Sequence, residues 1–155
     1  MRITPRVLAP ALALALGIVA ACGTPRPRAL LLGEDQCAYC RMEITDPRFG
    51  AQVIMRTGRI YVFDAVECLV GFVRGHDAEL IGSVWVADAA TGGAFIRAEE
   101  AGFLLDGSLR APMGRAVAFA TPAAADSQRL RLGGVSVTWT ALVTDSAGIV
   151  TSGGH

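Results

Sequence analysis

Ala51-Gln52-Val53-Ile54-Met55-Arg56-Thr57-Gly58-Arg59-Ile60-Tyr61-Val62-Phe63-Asp64-Ala65-Val66-Glu67-Cys68-Leu69-Val70-Gly71-Phe72-Val73-Arg74 decides the fold class. β-formers cluster from Ala51 to Thr57 and from Arg59 to Asp64, with Thr57-Gly58 between them, which predicts a β-hairpin. At Asp64 the pattern changes. Asp64 can cap a helix from Ala65 to about Arg74 that puts Val66, Leu69, Val70 and Val73 on one face. Gly71 weakens this helix slightly and Gly75 ends it. Cys68 lies on the helix, where its thiol could face the segment before the hairpin.

Downstream, Ser83 to Ala87 predicts a strand and Asp88 to Gly93 a turn. Ala94 to Arg97 predicts a further short strand, Ala98 to Ala101 a turn of helix, and Gly102 to Leu105 an extended segment. Asp106-Gly107 is a turn, Leu109 to Gly114 a loop, and Arg115 to Ala120 a strand. Thr121-Pro122 reads as a cap with Pro at the first helical position, opening a helix from Pro122 to about Leu132 that Gly133-Gly134 closes. Val135 to Val143 alternates with period two and predicts a final strand. Strands, a helix and a strand thus occur twice. The class is α+β with mainly antiparallel sheet, in one domain over residues 36–145 with two similar halves at about 36–88 and 89–145. Residues 146–155 are small and predict a disordered tail.

Upstream of the hairpin lies Cys37-Ala38-Tyr39-Cys40-Arg41-Met42. Two thiols three residues apart, with a thioether two residues on, are soft ligands, and together they suit Cu(I) better than Mg, Ca or Mn. Other readings stand beside it. Cys37 and Cys40 could form a disulfide over a buried Cys68. Cys37, Cys40 and Cys68 with Asp64 could hold zinc. Met42 adjoins two Cys in a polar context and Met113 sits in a Pro-Met-Gly loop, so each divides between ligation and packing, whereas Met55 in a strand reads as core. His76 reads as surface. Neither His76 nor His155 offers a general base near a nucleophile.

The N-terminus explains the fourth Cys. Arg2 and Arg6 precede an apolar run from Val7 to Ala21, which is too short for a comfortable membrane span and is interrupted by Pro10. Val19-Ala20-Ala21-Cys22 resembles the bacterial lipobox, which implies that residues 1–21 are a removed signal and Cys22 is lipidated. Several acyl chains there would give a stable membrane anchor. Gly23 after the Cys points toward the outer membrane. Residues 22–35 read as the lipidated Cys and a tether that Pro25 and Pro27 make semi-rigid, with Arg26 and Arg28 solvated or near anionic head groups. Three thiols remain, an odd number for an oxidising compartment.

Composition excludes some partners. The 155 residues carry 14 basic and 14 acidic side chains. Every basic one is Arg, and losing residues 1–21 leaves 12 against 14, a net charge of −2. No basic face of the size nucleic acid requires is present. The chain is 52% hydrophobic, with a mean hydropathy of +0.45, enough to build a core.

Four blocks in order resemble the NosL family, copper-binding lipoproteins accessory to nitrous oxide reductase maturation. They are Cys37-x-x-Cys40-x-Met42 with Arg48-Phe49-Gly50-Ala51-Gln52; Tyr61-Val62-Phe63-Asp64-x-x-x-Cys68; Trp85-Val86-Ala87-Asp88; and Ala111-Pro112-Met113-Gly114 with Ala118-Phe119-Ala120. The resemblance covers about Gln36 to Leu142. It implies two ββαβ halves related to part of organomercurial lyase. It also implies a monomer that binds one Cu(I), with Cys37, Cys40, Met42, Cys68 and Met113 at the family's Cys and Met positions. The implied recipients are the ABC-type maturation machinery of the reductase and the reductase itself. One departure is Ala65, where the family often has a second acid after Asp64, so no role for paired acids is carried over. A thiol-disulfide oxidoreductase or organomercurial-lyase-like enzyme using Cys37, Cys40 and Asp64 is the competing function.

Overall fold

In a computed structural model, residues 25–144 are described; the expected signal, Cys22 and the expected tail lie outside them. The expected hairpin forms from β1 (Ala51–Met55) and β2 (Ile60–Phe63), antiparallel, with Ala51 opposite Phe63 and Ile54 opposite Ile60. The helix α1 (Val66–Arg74) follows. Then β3 (Ile81–Asp88) pairs antiparallel with the other edge of β1, and β4 (Ala94–Arg97) adds to β3. The sheet order is β2-β1-β3-β4, so the first sheet continues past residue 88.

The second half repeats this path. β5 (Gly102–Leu105) and β6 (Ala116–Phe119) form a hairpin, α2 (Pro122–Leu132) follows, and β7 (Val135–Thr138) returns to β5. The order is β6-β5-β7, again all antiparallel. In both sheets the first strand is central, its hairpin partner lies on one side and the post-helix strand on the other. The fold is therefore α+β with two antiparallel sheets, as expected.

The final strand is shorter than its period-two pattern predicts. β7 stops at Thr138, which faces Gly102 at the end of β5. Past that point no neighbouring strand offers ladder partners, and the chain turns into α3 (Trp139–Thr144) instead. Thr138 Oγ1 accepts the Ala141 N–H at 3.3 Å. The Trp139 ring lies 6.0 Å from that of Phe103, and Leu142 enters the core. Arg74 donates to the carbonyls of Leu142 and Val143, which ties α3 to α1.

The halves share one core. Val53, Phe63, Leu69 and Val86 from the first pack in the same cluster as Phe103, Ala116 and Ala118 from the second. The residue just after β3 also bonds the second sheet, Ala89 N–H to Ala118 O at 3.0 Å. Gly102 lets α2 lie close on β5: a Cβ there would come within 2.5 Å of Thr121 O and 2.6 Å of Pro122 Cα. Part of the stretch read as a tether lies against the domain. The Arg28 backbone exchanges hydrogen bonds with the buried Gln52 side chain at 3.1 and 2.6 Å, and the Arg28 guanidinium grips Asp35 at 2.7 and 2.6 Å. Among the described residues no helix is long and apolar enough to cross a membrane.

Candidate metal centre

The Cys-x-x-Cys segment folds as a tight reversal. Cys37 N–H donates to Met42 O at 2.8 Å, Arg41 N–H donates to Cys37 O at 3.0 Å, and Gln36 bridges Glu43. The reversal closes through Arg41 in the left-handed region, at φ 68°, a conformation that costs an L-residue about 1–2 kcal/mol. β2 is an edge strand, and the reversal docks on its free side: Ala38 N–H donates to Val62 O at 2.8 Å. Tyr39 lies over α1 at Gly71, where a Cβ would meet its ring at 2.6 Å. The glycine that weakened the expected helix is what admits this ring against α1.

Asp64 does not cap α1, contrary to expectation. The N-cap is Ala65, which has no side chain to bond with, and Asp64 is turned away from the helix start. The cap at the corresponding place in the second half is present, with Thr121 Oγ1 accepting the Ala124 N–H at 3.1 Å. Asp64 is 2% exposed and faces Cys40 instead, with Oδ1 and Oδ2 at 3.5 and 3.6 Å from Sγ. The strand-to-helix junction of the first half thus gives up a cap and gains a carboxylate in the site.

The result is a cluster. The ligand atoms of Cys37, Cys40, Asp64 and Cys68 all lie within 4.8 Å of one another. Cys37 and Cys68 are buried and Cys40 is half-buried, so the cluster is closed on the core side and reachable at Cys40. All three thiols are free, so the expected alternative of a Cys37–Cys40 disulfide does not describe this state.

The electrostatics divide the thiols. Cys37 is drawn down to about 6 because the Cys68 thiol donates to it, aided by the N–H groups of Cys40, Asp64 and Tyr39, against the cost of burial. Of the three thiols it is the one whose surroundings favour the thiolate. Burial pushes Cys40 up to about 11, and the neighbouring Cys37 and Asp64 charges add to this, while the Met42 N–H opposes it. Cys68 is held up by its bond to Cys37 and by burial. The site therefore favours one thiolate, Cys37, in a cradle of N–H donors beside the Asp64 carboxylate, with two further thiols that deprotonate when a cation arrives.

The other expected ligands are placed differently. Met42 is 49% exposed at the mouth of the reversal, with its backbone engaging Cys37 and Cys40. Met113 is half-buried and packs against the core cluster that contains Cys37 and Cys68. His76 is exposed and stacks on Phe72 at 3.9 Å, away from the thiols. Asp64 was legible as a candidate ligand only in the zinc reading, because its place before a helix fits a cap equally well. A second acid, Glu67, went unread. It is buried at 5% exposure in the first turn of α1, where the only signal is a charge inside an apolar run.

Three thiols and one carboxylate fit a soft monovalent or borderline divalent ion and do not fit Mg or Ca, which take oxygen shells. The sequence pattern of the NosL family matches residues 29–147. The fold is similar to the crystal structure of the copper chaperone NosL from Shewanella denitrificans, at a TM-score of 0.66 and 20% identity, over 75% of this chain and 94% of that one. A lesser likeness is to the solution structure of apo-NosL from Achromobacter cycloclastes, at a TM-score of 0.44 and 24% identity, over 63% and 91% of the two chains. No curated protein matches the sequence.

Proposed function

The chain belongs to the NosL family, and from that premise we propose that it carries Cu(I) as cargo for the assembly of the copper centres of nitrous oxide reductase. The observation that carries the proposal is the convergence of Cys37, Cys40, Cys68 and Asp64 within 4.8 Å. Cu(I) has a filled shell and takes two or three soft ligands. Cys37 meets it as a ready thiolate, and Cys40 and Cys68 can follow by proton loss. Cys40 is the accessible thiol and the point at which a partner's ligand can enter. Met42 at the mouth and Met113 from the facing loop are exchangeable thioethers, suited to stepwise transfer. The protein is a carrier and not a catalyst in this reading.

The proposal extends to place and partners. Cys22 is the lipid anchor, which holds the protein as a monomer at the periplasmic face of the outer membrane, with the inner membrane as the alternative. The recipients are the ABC-type maturation machinery and, through it, the reductase. In cells lacking this protein, purified reductase should be short of copper. Wild-type protein should restore it, and the Cys37→Ser/Cys40→Ser variant should not. Full copper loading without the protein would refute the delivery role.

Asp64 favours a second reading. A hard carboxylate beside three thiols completes a four-ligand zinc set. A structural zinc site would hold Zn(II) against Cu(I), and the fold would be lost on chelation.

A further inference from the structure

Glu67 directly precedes Cys68 in α1, and its Oε1 accepts two N–H groups, from Arg115 just before β6 at 2.8 Å and from Ala116, the first residue of β6, at 2.7 Å. Ala116 opens an edge strand, so its N–H has no strand beyond it to bond, and the Arg115 N–H lies in the loop just before that strand. The other carboxylate oxygen, Oε2, is buried without a hydrogen-bond partner among the described residues. A buried, half-satisfied carboxylate is expensive. Its neighbours Val66, Cys68, Leu69 and Val70 are all buried, and an apolar side chain would fill the place without that cost. What Glu67 adds is a joint between the two halves of the molecule.

That joint lies two residues past Met113. The chain between β5 and β6 has no regular structure from Gly107 to Arg115, and it carries Pro112-Met113-Gly114. Met113 packs against the cluster that holds Cys37 and Cys68. The outer face of the same joint is the Arg115–Asp106 ion pair at 2.7 Å, whose side chains are 41% and 51% exposed. Exposed pairs hold little. Glu67 is the inner anchor.

We propose that Glu67 is a positioning residue for the metal centre: by holding Arg115 and Ala116 it keeps the Met113 thioether in reach of the thiol cluster to which its neighbour Cys68 belongs. The inference rests on the Cu(I)-binding reading above.

The test uses the full, reduced chain under anaerobic conditions. Cu(I) affinity is measured by competition with a chelator for wild type, Glu67→Leu, Glu67→Gln, Met113→Leu and the Glu67→Leu/Met113→Leu double variant. Copper-edge X-ray absorption counts the sulfur ligands of each. Glu67→Leu should weaken binding by about 10- to 100-fold, the range for loss of a group that orients a ligand. Met113→Leu should match it, the double variant should be no weaker than either, and both should lose the same sulfur. Glu67→Gln keeps the acceptor oxygen and should bind as wild type does. If circular dichroism shows that Glu67→Leu does not fold, Glu67→Asp replaces it, since a carboxylate one methylene shorter cannot hold both N–H groups. Wild-type affinity in Glu67→Leu, or losses that multiply in the double variant, would overturn the inference. A wild-type chain that binds no Cu(I) would instead defeat the copper-carrying function, and this inference with it.

Discussion

Replacing Arg41 by Gly should stabilise the reduced, metal-free protein. Arg41 closes the Cys37–Met42 reversal at φ 68°. That conformation costs an L-residue about 1–2 kcal/mol and glycine nearly nothing. Glycine returns part of the gain because its unfolded chain is freer, by about 0.5–1 kcal/mol. The Arg41 side chain is exposed and makes no hydrogen bond or ion pair among the described residues, so its loss removes nothing else. The net expectation is a gain of about 0.5–1 kcal/mol, or a few degrees in Tm for a domain of this size. Urea unfolding of the reduced protein should show a raised midpoint at unchanged slope. Arg41→Val is the control: a β-branched residue fits this conformation badly and should lower the midpoint. Cu(I) affinity should stay as it is in Arg41→Gly, because the N–H groups of Tyr39 and Cys40 keep their aim at Cys37. An unchanged or lowered midpoint in Arg41→Gly would refute the claim that this turn is strained.

Two further outcomes follow from the same structure. The stability of the reduced, metal-free protein should rise with pH between about 6 and 9, because Cys37 is drawn down from the ordinary thiol value near 9 to about 6. Across that window the unfolded chain binds a proton that the folded one does not. Above about 9 the trend should reverse, since Cys40, pushed up to about 11, then keeps its proton only in the folded state. Urea midpoints at a series of pH values check this, and Cys37→Ser should flatten the rise. Separately, Gly102→Ala should destabilise by about 1–3 kcal/mol, the usual cost of overpacking. The atoms that its Cβ would meet at 2.5 and 2.6 Å are backbone and cannot step aside. Thermal unfolding checks it, and a neutral result would show that α2 does not lie as close on β5 as described.

Much of the fold was legible because its signals are local. The hairpin at Thr57-Gly58, the apolar face of α1 and the Thr121-Pro122 start of α2 each state their element within a few residues. The end of β7 was not, because it depends on where β5 runs out, 30-odd residues earlier; Trp139, Leu142 and Val143 also fit a helix at i, i+3 and i+4, but the alternation from Val135 reads first. In the site, the two Cys of the reversal announce themselves by spacing, and Cys68 by its place on the helix. Asp64 was ambiguous in principle: an acid before a helix is a cap or it is not, and only the tertiary position of Cys40 decides. Glu67 was silent, since the edge it serves belongs to the other half of the chain, 48 and 49 residues away. The exposure of Met42 likewise follows from the tight pairing of Cys37 with its backbone, which the sequence does not print.

An anaerobic titration of the reduced protein with Cu(I), competed against a chelator, bears most directly on the site. Wild type should bind one Cu(I) tightly, Cys37→Ser/Cys40→Ser should lose that binding, and Zn(II) should not displace the copper. Absence of tight Cu(I) binding by the reduced wild-type protein, or equal binding by the double variant, would contradict the assignment of Cys37, Cys40, Cys68 and Asp64 as a copper site.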